Sequence, residues 1–199
     1  RVVSVYRHER IAGGSEPEAQ EVVLTARVED CEATGRRMYA QAQAQGLDHA
    51  RRVVVIGDGA EWIWNQSALH FAGATEIVDW YHAVQHLWEV AGAVLGAESP
   101  EGRAWEQVRE AELWAGRVDQ VLSAMRRLFW SKRRKESGFR GSAAEHVLQT
   151  NLAYFTRHQR RMDYARFRAE DLPLGSGVVE AGCKHLVAQR CKRSGMQWH

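Results

Sequence analysis

Two stretches near the start of the chain concentrate β-branched residues: Val2-Val3-Ser4-Val5-Tyr6, and Glu21 to Val28 (EVVLTARV) beyond a Gly13-Gly14-Ser15 loop. Both suit a pleated, half-buried surface and predict two strands that pair as neighbours. From Cys31 to Gly46 the pattern changes to Ala, Glu, Gln, Arg and Met, with Ala33, Met38 and Ala42 at near-helical spacing. That predicts a helix ended by Gly46. Arg52 to Gly57 (RVVVIG) is a short continuous apolar run, which predicts a strand buried on both faces, followed at its carboxyl end by Asp58-Gly59. Glu61 to Phe71 reads as a helix and Thr75 to Asp79 as another strand ending in an acid, so this stretch makes one βαβ unit.

From Tyr81 to about Arg168 only helical patterns are present, with breaks near Ser99-Pro100, Gly116, Ser137-Gly138 and Gly141-Ser142. The last legible element follows Pro173-Leu174-Gly175-Ser176-Gly177, where Ser176 or Gly177 is placed to cap a helix through Val178, Glu180, Lys184, Leu186 and Arg190. The chain therefore reads as an α/β core interrupted by an all-helical insertion. Residues 1–80 form the first part of the core, 81–170 the insertion, and 171–199 a returning core helix.

With 199 residues and 45% hydrophobic content, the chain is long enough to bury one sizeable core with an inserted subdomain. Cys31, Cys183 and Cys191 form no CxxC pair and leave an odd count, which argues against a disulfide framework or a closed zinc site. No apolar run approaches the roughly 20 residues that span a bilayer, and no signal peptide opens the chain, so a cytoplasmic location without membrane partners is expected. The formal net charge of +2 conceals an asymmetry: Arg126, Arg127, Lys132 to Lys135, Arg157, Arg160 and Arg161 crowd the later half. Such local basicity is compatible with a phosphate backbone, and equally with a solvated helix face. The eight tryptophans are expected mainly as core filler. Both chain ends look cut, so a fragment of a longer protein is expected.

Asp58 stands after a strand and before a helix, where a carboxylate can point from the sheet edge toward a hard cation such as magnesium. Taken alone, Asp-Gly after a strand is a common turn. Glu180 lies in the first turn of its helix, where the helix dipole favours a negative charge; a surface pair with Lys184 at i,i+4 explains it as well. Asp79 and His82 form an Asp-x-x-His step, with His86 one turn further on the same face. A zinc pair from the two histidines lacks further ligands at suitable spacing and the HExxH glutamate, because position 83 is Ala.

Four blocks in order match a known pattern: Val55-Ile56-Gly57-Asp58-Gly59-Ala60-Glu61-Trp62-Ile63-Trp64-Asn65, then Asp79-Trp80-Tyr81-His82-Ala83, then Gly175-Ser176-Gly177-Val178-Val179-Glu180-Ala181, then Arg190-Cys191-Lys192-Arg193-Ser194-Gly195-Met196-Gln197-Trp198. Together they resemble bacterial insertion-sequence transposases of the ISKra type, which belong to the DDE class. The resemblance runs over nearly the whole chain and implies a ribonuclease H-like mixed sheet with an all-helical insertion before the last catalytic helix. It implies DNA strand cleavage and strand transfer with two Mg2+ (or Mn2+) ions held by three acids. Asp58 matches the second acid and Glu180 the third, as catalytic and metal-holding residues, while Asp79 and His82 match a supporting (Cys/Asp)-x-x-His step.

On this resemblance the first acid belongs upstream of Val2, so the chain by itself is expected to be inactive. Lys184, Arg190, Lys192 and Arg193 are the expected DNA contacts. The expected partners are transposon ends and target DNA, with homo-oligomers assembled on DNA at the nucleoid. Two other readings stand beside it: a truncated remnant that only binds DNA, and a different ribonuclease H-like nuclease, against which the long helical insertion argues.

Overall fold

The computed structural model describes residues 1–10 and 17–175. The chain is mixed α/β and divides into two compact units, one built from residues 1–76 with 171–175 and the other from Ile77–Glu170. The last core helix expected from Gly177 onward lies outside the described residues.

In the first unit, β1 (Val2–Arg10) and β2 (Pro17–Ala26) pair antiparallel, from Val2 opposite Ala26 to Arg10 opposite Pro17. The register shifts between Val5, opposite Val23, and Arg7, opposite Gln20, so β2 carries one extra residue. Glu21 sits in that bulge with φ 52°, a conformation uncommon outside glycine. The bulge is fastened by Gln45, whose Nε2 donates to Val5 O at 3.3 Å and to Glu21 O at 2.6 Å. Pairing with β1 thus draws β2 four residues earlier than its β-branched run begins.

Helix α1 (Cys31–Ala44) starts where Asp30 accepts a hydrogen bond from Ala33 N at 2.7 Å, and the chain turns left-handed at Gly46, φ 87°. Strand β3 (Val54–Gly57) alternates: Val55 and Gly57 are buried, Val54 and Ile56 half-buried. A strand closed on both faces was expected. β3 has a single paired neighbour among the described residues, β4 (Thr75–Val78), and one face stays partly open. The described strands form two separate pairs, β1 with β2 and β3 with β4. Between β3 and β4 runs α2 (Glu61–His70), which packs on α1 so closely that a Cβ on Gly35 would collide with the Gln66 side chain. Tyr39 closes the same seam, stacking on His70 with ring centroids 5.5 Å apart.

The second unit is helical from Trp80 onward: α3 (Trp80–Ala91), a π-helical turn over Gly92–Gly96, α4 (Pro100–Trp114), α5 (Val118–Lys135), α6 (Ala143–His158) and α7 (Tyr164–Ala169). Side chains cap these helices in sequence-local fashion: Ser99 accepts from Gly102 N, Ser142 from Glu145 N, and Asp163 from Arg166 N. Gly116 joins α4 to α5 at φ 72°, where a Cβ would also meet Asp163 Oδ1 at 2.9 Å. Leu87, Val90, Leu113, Val121, Met125, Leu148 and Phe155 are fully buried. Tyr164 is buried as well, and its hydroxyl donates to Val78 O at 2.9 Å, 86 residues earlier.

The tryptophans do not behave as core filler. Trp64 is the one buried indole among the described residues, while Trp88, Trp114 and Trp130 are 59%, 40% and 62% exposed. Surface helices satisfy these amphipathic rings in another way. Trp88 Nε1 donates to Glu106 at 2.6 Å, and the Arg168 guanidinium lies 3.9 Å from the Trp114 ring centre.

Candidate functional site

Asp58 is exposed, one residue beyond β3, in the turn that leads to α2. Its Oδ1 accepts from Ala60 N at 2.8 Å, and Gly59 follows at φ 99°, a backbone that favours glycine. The turn reading and the site reading of Asp58 therefore describe the same geometry. One carboxylate oxygen shapes the turn, and the side chain as a whole faces solvent at the carboxyl end of a strand. Trp64 of the same block is buried in α2, and Trp62 lies beneath the Arg1 guanidinium, 5.0 Å from its ring centre.

Asp79 is the other strand-end acid, and it is only 3% exposed. It is the N-cap of α3: its Oδ1 accepts from His82 N at 3.1 Å. The spacing of the Asp-x-x-His step is the spacing of an N-cap to the third helical residue, so the backbone N–H of His82, rather than its ring, answers Asp79.

The His82 ring instead meets His86 edge-on at 4.9 Å, and His86 lies 3.9 Å from the Tyr154 ring. His86 Nδ1 is 2.7 Å from Asn151 Oδ1, while Asn151 Nδ2 donates to Val147 O at 2.9 Å. That second bond turns the amide oxygen toward His86, so His86 donates from Nδ1. Burial pulls the His86 pKa below its ordinary value, and Asn151 and Glu89 partly oppose the shift. His82, His86, Asn151 and Tyr154 thus form a packed polar cluster on the facing sides of α3 and α6.

Among the described residues, no group of three or more His, Cys, Asp or Glu side chains is placed to hold a metal ion. Asp58 suits a hard cation as one oxygen ligand, but the described residues do not complete a two-ion site around it. Glu180, Lys184, Arg190, Lys192 and Arg193 lie outside the described residues. Asp58 and Asp79 belong to different units, and only Asp79 and His82 are brought together.

Reading the sequence did not find Asn151, Tyr154 or Tyr164, because each acts through a contact with a residue far along the chain. Their only signal was position on an apolar helix face. No protein-family model matches the chain, and no match emerges among curated proteins or solved structures. No helix of the described residues is long and apolar enough to cross a membrane.

Proposed function

We propose that this chain is part of the catalytic region of a DDE-type insertion-sequence transposase on a ribonuclease H-like core, with Asp58 as the second acid and Glu180 as the third. The observation that carries the reading is the exposed Asp58 carboxylate at the carboxyl end of β3, inside the first of four motif blocks that occur in the expected order. A helical unit between Asp58 and Glu180 adds support, since the class commonly places an insertion between these two acids.

On this reading the Gly57-Asp58-Gly59 turn holds one carboxylate at the strand end, and Glu180 supplies another from a helix. A first acid from an upstream segment completes the set. Two bound Mg2+ or Mn2+ ions supply activation of the attacking oxygen and stabilisation of the leaving one. Asp79 and His82 shape the start of α3, and Lys184, Arg190, Lys192 and Arg193 contact DNA phosphates. The substrates are transposon ends and target DNA, bound by an oligomer of the whole protein.

The test uses a chain extended to include the upstream acid, with labelled transposon-end DNA and Mg2+. Asp58→Asn and Glu180→Gln each abolish strand cleavage while end binding stays within a few-fold of the parent. Cleavage retained in both variants defeats the assignment.

A further inference from the structure

One face of α5 carries a basic and aromatic stripe that the reading of Asp58 does not use. At 100° per residue, Arg126, Trp130 and Arg134 follow one another at i, i+4 and i+8, and Arg127 lies beside them, three residues before Trp130. All four are exposed, opposite the side on which Val121 and Met125 are buried. Two other cations on this helix are matched locally, Lys132 by Glu136 at 2.7 Å and Arg133 by Glu145, while Lys135 at the helix end has no ion pair among the described residues. Arg126, Arg127 and Arg134 form no ion pair among the described residues.

Trp130 is 62% exposed yet held at one edge, where Phe129 meets it at 5.2 Å between centroids. Phe129 in turn faces the buried Phe139 at 6.4 Å, and Arg133 lies 6.0 Å from the Trp130 ring centre. The indole thus has an aromatic neighbour on one side and open area on the other. Eight residues of helix rise about 12 Å, so the flanking arginines reach different charges of a polyanion that carries one phosphate per ~3.4 Å of axis on each strand.

We propose that this face of α5 binds a single-stranded or unpaired segment of nucleic acid, with Arg126, Arg127 and Arg134 on phosphates and Trp130 stacked on a base. Charge complementarity selects a polyanion. An exposed indole between the guanidinium groups selects one with accessible base faces, which a paired duplex does not offer along its sides. The surface stands within the helical unit alone and needs neither Asp58 nor Glu180.

Fluorescence anisotropy with labelled dT20, and with a 20-base-pair duplex, tests this on the full chain. The parent binds dT20 more tightly than the duplex. Trp130→Ala weakens dT20 binding about 5- to 100-fold and leaves the slope of log K against log salt unchanged. The triple change Arg126→Gln, Arg127→Gln, Arg134→Gln weakens binding and flattens that slope by about 2, at roughly 0.7 per phosphate contact. Circular dichroism confirms that the variants keep their helices. The proposal is overturned by equal binding of the variants and the parent, by loss in the triple variant without loss in Trp130→Ala, or by a preference for duplex or for polyglutamate over dT20.

Discussion

The two units spend their apolar residues differently. In the helical unit, side chains from five helices reach complete burial, among them Leu87, Leu113, Met125, Leu148, Phe155 and Phe167. In the other unit the described buried apolar residues are Val3, Val55, Trp64 and Phe71, each still slightly exposed, and Thr34, Gln66 and Ser67 are buried with them. Long amphipathic helices can each give a whole stripe to one interior, whereas the described strand pairs and two helices of the other unit enclose less among themselves. Among the described residues, the exposed acid at the end of β3 therefore stands in the unit with fewer fully buried apolar side chains, and the helical unit holds the larger described core.

The largest effect that can break this contrast is in the cores. Phe155→Ala removes a fully buried ring and costs about 3–5 kcal/mol, while Val55→Ala costs about 1–2 kcal/mol. Hydrogen exchange resolved along the chain is the suitable measurement, because two units need not unfold together. Phe155→Ala speeds exchange across α3 to α6, and Val55→Ala speeds it in β3 and α2. Equal losses of protection for the two substitutions would erase the difference between the cores.

A smaller effect sharpens the contrast between the two strand-end acids. Asp79→Ala removes a buried N-cap and costs about 1–2 kcal/mol, and Asp79→Asn, which keeps an acceptor, recovers most of it. Asp58→Ala, at an exposed turn, costs less than either core change. Urea unfolding of the three variants ranks them, and an Asp58→Ala loss as large as that of Asp79→Ala would show that the turn after β3 is a structural support first.

The smallest expected effect is with pH. His86 has a folded pKa below its ordinary value of 6.5, so between the two pKa values the unfolded chain binds more protons than the folded one. The His86 contribution to stability is therefore complete above pH 6.5 and is lost as pH falls through 6.5 toward the folded pKa. The groups facing it are His82, Glu89, Asn151 and Tyr154. His86→Gln flattens this part of the stability profile, as read by thermal melts between pH 5 and 7.5; an unchanged slope excludes His86 as its source.

Local signals were legible throughout. Ser99, Gly116, Ser142 and Gly46 each mark a boundary in the sequence and in the structure, because caps and left-handed turns are decided by a residue and its nearest neighbours. The place of Asp58 after a strand was legible for the same reason. What depended on distant partners was not. Exposure of Trp88 and Trp114 follows from Glu106 and Arg168, and Glu145 is buried because Gly141 N–H and Arg133 hold its carboxyl, keeping its pKa below the ordinary value. The β2 bulge rests on Gln45, which no strand pattern announces.

The hydrogen bond from Tyr164 to Val78 joins the first residues of the helical unit to its last helix. The polypeptide leaves this bundle beside the point at which it came in, at a separation of 86 positions along the chain. A unit whose entry and exit are held together is closed on itself, with both of its connections leaving from one place. Tyr164 is the clasp of that unit.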